Sequence, residues 1–115
     1  MKCLVMCLAM MAHPPVKADA DWLSFAVDAR SGLTWEFRSS SVLKVAGFVR
    51  AQVRRADYDV YEVMIPKAHC QQHQPAGDIE LFRSGFVTRA VWHRDDGTLA
   101  WEIARSICAY SRRPW

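Results

Sequence analysis

With 115 residues, 15 lysines and arginines, 12 acids and a formal net charge of +3, the chain suits one domain and lacks the basic excess of a nucleic-acid binder. Charge this close to balance names no partner and argues only for ordinary solubility.

Met1-Lys2 supplies a positive start, and Cys3 to Ala12 follows almost without polarity. His13, Pro14, Pro15 and Lys17 end the run well short of the roughly twenty apolar residues of a membrane span. Ala18-Asp19-Ala20 then presents a small-x-small cleavage pattern, so residues 1–20 read as a signal peptide and 21–115 as a single exported domain, secreted or periplasmic. Leu4-Val5-Met6-Cys7 resembles a lipoprotein box, but Met is a poor residue before a lipidated cysteine and too little apolar chain precedes it. Cleavage after Ala20 would remove Lys2, Lys17, Asp19, Cys3 and Cys7, leaving a charge of +2 and two cysteines, Cys70 and Cys108.

Trp22 to Asp28 alternates, with Leu23, Phe25 and Val27 on one side, the period of a half-buried strand. Arg30-Ser31-Gly32 reads as a turn, and Leu33, Trp35 and Phe37 repeat the alternation up to Arg38, predicting a hairpin. After Ser39-Ser40-Ser41, the stretch Val42 to Arg55 is interrupted by Gly47, a bulge or bend, and sets Val49, Ala51 and Val53 opposite Arg50, Gln52 and Arg54. Tyr58 to Ile65 is apolar on both faces, which places it centrally or under a helix, and Pro66 ends it. Lys67 to Asp78 reads as a long polar loop holding Cys70; Ile79 to Arg83 and Phe86 to His93 are two further strands about Ser84-Gly85.

The period then changes. Leu99, Ile103 and Ile107 lie four apart beside a row of Ala100, Ala104 and Cys108, predicting an amphipathic helix with Asp95 and Asp96 at its positive end, Arg112 and Arg113 at its negative end, and Pro114 as its stop. A hairpin about Asp96-Gly97 is the rival, since Leu99, Trp101 and Ile103 also alternate. The sum is an α+β domain: an antiparallel sheet of about six strands with a C-terminal helix packed on it.

In an oxidising compartment Cys70 and Cys108 permit one disulfide, and a domain of about 95 residues is small enough for it to matter. The rival is a metal site: His69 and His73 flank Cys70, and His93 with Cys108 could complete four zinc ligands, though the spacing matches no recurrent finger and the disulfide is preferred. A weak metal or haem contact through His69 and His73 remains as a candidate beside it. No Ser-His-Asp, Gly-x-Ser-x-Gly or Gly-rich phosphate motif is present, so no cofactor is expected and no enzyme signature is found. Arg50, Arg54 and Arg55, with Arg38 as an extension, make a basic row, either a solubility device or a patch for an acidic partner. Trp115, beside Arg112, Arg113 and Pro114, is a frayed end or a contact point.

Tyr61 and Ile65 ahead of Cys70, and a terminal segment with Thr98, Leu99, Ala104, Ile107, Cys108 and Ala109, resemble the bacterial surface-adhesin protein E family. The resemblance implies six antiparallel strands with the helix tied on through the two cysteines, and a surface protein that binds host matrix or serum proteins without catalysis, sometimes as a homodimer. The alternatives are a periplasmic inhibitor or immunity protein of a hydrolase, and an enzyme built on the His69, Cys70 and His73 cluster.

Overall fold

A computed structural model describes residues 21–55 and 59–112. The expected leader, the Tyr58 start of the central strand, Arg113, the Pro114 stop and Trp115 lie outside the described residues. Strands β1 (Trp22–Val27), β2 (Thr34–Arg38), β3 (Leu43–Val45), β4 (Phe48–Arg55), β5 (Val60–Pro66), β6 (Ala76–Arg83) and β7 (Phe86–His93) precede one helix, α1 (Leu99–Ser111). All pair antiparallel in the order β1-β2-β4-β5-β6-β7, with β3 also on β4, so the seven-stranded sheet has one strand more than alternation predicted.

The extra strand arises at Gly47. Its φ of +78° suits glycine, and with Ala46 it closes a two-residue hairpin in which Val45 faces Phe48, so Val42 to Arg55 splits into two strands. Strands β2 and β3 lie end to end along one edge of β4: Phe37 pairs with Val53, Leu43 with Arg50, and Gln52 falls between them. The Ser41 hydroxyl accepts the Gln52 N–H at 2.8 Å and donates to the Arg38 carbonyl at 2.6 Å, bridging the break in the ladder. Ser39–Ser41 is thus the 3-10 turn that carries the chain from β2 to β3.

One face of the sheet is apolar because its alternate positions are. Phe37, Val49, Ala51, Val53, Val63, Ile65, Ile79 and Trp92 are buried there. Helix α1 lies across this face, with Trp101 5.1 Å from Trp92 of β7 and Tyr110 5.5 Å from Phe37 of β2, ring centre to ring centre. Ile103, Ala104, Ile107 and Cys108 are buried beneath it, whereas Leu99, expected on the same stripe, is 38 % exposed in the first turn. The turn after β7 leads into the helix and not into a hairpin. Thr98 is the cap, its hydroxyl accepting the Trp101 N–H at 3.2 Å, while Asp96 holds the turn by accepting from the His93 and Thr98 N–H groups.

Cys70 closes a short 3-10 turn, Lys67–Cys70, that follows β5, and it is bonded to Cys108 of α1 with the Cα atoms 5.1 Å apart. The polar stretch between β5 and β6 is shorter than expected, because β6 begins at Ala76 and not at Ile79. Among the described residues no helix is long and apolar enough to cross a membrane.

Candidate binding cleft

The disulfide holds the C-terminal half of α1 against the segment His69–His73, and the turn after β7 approaches from the side. Between them lies a cleft of about 270 Å³. Gly77 packs against two of its lining side chains. A Cβ there would fall 2.8 Å from Trp92 and 2.9 Å from His69, so the bare backbone lets the indole and the imidazole close onto β6. His69 is fixed in turn by Asp78, whose N–H donates to Nδ1 at 3.3 Å and whose carboxylate lies 3.2 Å from the same atom.

Three arginines line the cleft. Arg94 stacks over Trp101, with its guanidinium carbon 5.1 Å from the ring centre, and donates Nε–H to the Gln74 carbonyl at 2.9 Å. Arg112 caps the end of α1 and donates Nη1–H to the Cys70 carbonyl at 2.6 Å. Arg105, one helical turn before Ala109, is neutralised by Glu102. Arg94 and Arg112 meet main-chain carbonyls, and among the described residues neither has a carboxylate partner.

The turn that carries Arg94 is built tightly. Asp95 adopts a φ of +60°, and Asp96 next to it is hydrogen-bonded on all sides. The His93 N–H, then the Thr98 hydroxyl and N–H, stabilise the charged form of Asp96 and hold its carboxyl below the ordinary aspartate range. Trp92 also lines the cleft. It is 1 % exposed, and its Nε1–H is a buried donor with no hydrogen-bond acceptor among the described residues.

Of the residues singled out by sequence, Cys70 and Cys108 come together as expected, and their bond takes both sulfurs out of any thiolate ligand set. His69 and His73 line the cleft, but among the described residues no group of three His, Cys, Asp or Glu is placed to hold a metal ion. The basic row does not form one surface. Arg50 and Arg54 lie on the helix-free face, where they pair with Glu62 at 3.3 Å and Glu36 at 2.8 Å, and Arg54 also covers the Trp22 ring at 4.0 Å. Arg55, one residue on, points to the opposite face and pairs with Asp28 at 3.2 Å. Arg38 is held by Asp21 at 2.8 Å.

Sequence reasoning assigned Arg112 to the helix dipole and gave Arg94 and Arg105 no role. The spacing of Arg105 and Arg112, seven apart and therefore on one helix face beside Cys108, was the available signal. Comparison with family models, with curated proteins and with solved structures returned no match.

Proposed function

We propose that this chain is an exported, non-catalytic binding protein, similar to surface-adhesin protein E, that recognises an extracellular protein through the cleft beside its disulfide. The observation that carries this reading is the pair Arg94 and Arg112, both exposed, both fixed by main-chain carbonyls, and both without a carboxylate partner among the described residues. An arginine stays charged at any physiological pH and carries no lone pair to act as a base, so a surface built on it serves recognition better than proton transfer. Orientation by carbonyls and by the disulfide means that little side-chain freedom remains to be lost on binding.

The test uses the full chain exported from a bacterial host and immobilised against a panel of extracellular-matrix and serum proteins. Saturable binding that weakens as salt is raised is the expected result, because exposed charges are screened over about 8 Å at physiological ionic strength. Absence of saturable binding across the panel overturns the reading, and inhibition of a cell-wall hydrolase in its place transfers the cleft to the inhibitor class.

A further inference from the structure

Resting on that reading, we infer that the cleft is a carboxylate site whose occupant is an acidic side chain of the partner. Among the described residues the lining is rich in side-chain donors, with Asp95 as its one carboxylate and His69, Gln71, Gln72 and His73 as groups that both donate and accept. Arg94, Arg105 and Arg112 have no acceptor atom, and the Trp92 indole offers only its N–H. The Trp92 N–H is also the one buried side-chain polar atom without a partner among the described residues. Trp92 forms part of the cleft wall, so its indole resonance reports on what enters the cleft.

Charge agrees with the donor count. The acids near the cleft are Asp95, exposed on the turn; Glu102, used by Arg105; and Asp78, held against His69. Among the described residues Arg94 and Arg112 are therefore two cations without an ion pair, set against Asp95 as the one lining acid. Because Arg94 commits only Nε to Gln74, its terminal nitrogens remain for a carboxylate, and stacking on Trp101 holds the planar fork in one orientation.

Size and wall chemistry select the ligand further. At about 270 Å³ the space lies at the lower end of small-molecule sites, roughly 300 to 1,000 Å³, and is large enough to admit a side chain or chain end. Trp101, Ala104 and Ala109 supply an apolar wall on the helix side, which fits the methylenes of a glutamate better than a bare phosphate.

The experiment is a titration of the full, oxidised chain labelled with ¹⁵N, read at the indole N–H resonances of its 5 tryptophans. The probes are an acetylated Glu-rich hexapeptide, the same peptide with Gln for Glu, free glutarate and inorganic phosphate. The Glu peptide should move the Trp92 resonance saturably while the Gln peptide leaves it in place. The double variant Arg94→Gln/Arg112→Gln should weaken that binding about tenfold or more, with the dispersion of the other indole resonances showing that the fold is retained. Glutarate binding as tightly as the peptide keeps the carboxylate assignment but makes the occupant a free acid. Phosphate binding in preference to both, or an unchanged affinity in the double variant, overturns the proposal.

The two readings fail separately. If a matrix protein binds the wild type and loses affinity in the double variant, but the Glu peptide leaves Trp92 unmoved, recognition through the cleft stands and the carboxylate site falls. If the Glu peptide titrates Trp92 but no protein of the panel binds, the site stands and the adhesin-like function falls.

Discussion

Replacing Cys70 and Cys108 together by alanine removes a link spanning 38 residues, which include β6, β7 and most of α1. The chain-entropy relation for a loop of that length gives about 4 kcal/mol at 25 °C. Both sulfurs are buried, so their loss adds about 1 kcal/mol of apolar burial. Against a whole-domain stability of roughly 5 to 15 kcal/mol this is a large share, and it corresponds to a fall in unfolding temperature of about 20 °C or more. The loss should also be local. Without the bond α1 keeps the burial of Trp101, Ile103, Ala104 and Ile107 and the Arg112 hydrogen bond to the residue 70 carbonyl, but it loses its covalent tie to the turn after β5. Thermal unfolding followed by circular dichroism reads the first effect, and native-state hydrogen exchange reads the second, with amides of Leu99–Ser111 exchanging before those of β4 and β5. A midpoint within about 5 °C of the wild type, or helix amides as slow as those of the central strands, refutes the reasoning.

Gly77→Ala should cost about 1 to 3 kcal/mol, because the new Cβ meets Trp92 and His69 inside contact distance; an unchanged urea midpoint would show that the two rings can give way. Thr98→Ala removes the helix cap and should cost about 1 kcal/mol in the same measurement, with Thr98→Ser restoring most of it. The fold should be acid-sensitive through Asp21, Asp28 and Asp96, each held below the ordinary aspartate value of 3.8. For Asp21 the causes are the Ser40 and Ser39 hydroxyls, then the Ser40 N–H and Arg38; for Asp28 they are the Arg30 and Ser31 N–H groups first. A depressed folded value means that the native state binds fewer protons than the unfolded chain, so this stabilisation is complete above about pH 4 and is lost as pH falls through the folded values. The unfolding temperature should be flat down to about pH 5 and decline below about pH 4, with Asp21→Asn reducing that slope; a flat profile to about pH 2 contradicts it.

The central strands were legible because one face is buried and the period of two is then written directly into residue type, as at Trp35 and Phe37 or Val49, Ala51 and Val53. The helix was legible for the same reason at a longer period. What escaped were features that depend on chain ends meeting in space. Residues 42 to 55 look like one strand with a bend, since Leu43 and Val45 carry strand-like side chains and nothing local says that β2 and β3 share one edge of β4. Ser41 is a turn residue by composition, and its role in bridging the ladder follows only from Gln52 lying between two partners. The start of β6 was hidden by Ala76 and Gly77, whose small side chains signal a loop although their backbones pair with His93 and Trp92.

The site was missed for an electrostatic reason that pairing makes plain. Sequence counts arginines, whereas recognition depends on which of them stay uncompensated. On the helix-free face the register sets Arg50 near Glu62 and Arg54 opposite Glu36, so both arginines meet an acid across the sheet, and charges paired in this way leave little field beyond themselves. At the cleft the neighbours of Arg94 and Arg112 are the carbonyls of Gln74 and Cys70, which orient a guanidinium without cancelling its charge. A chain with a net charge of only +3 can therefore still present a concentrated cationic point. Its position follows from the disulfide, because Cys108 and Arg112 share a helix face one turn apart and the bond that docks one brings the other onto the Cys70 carbonyl.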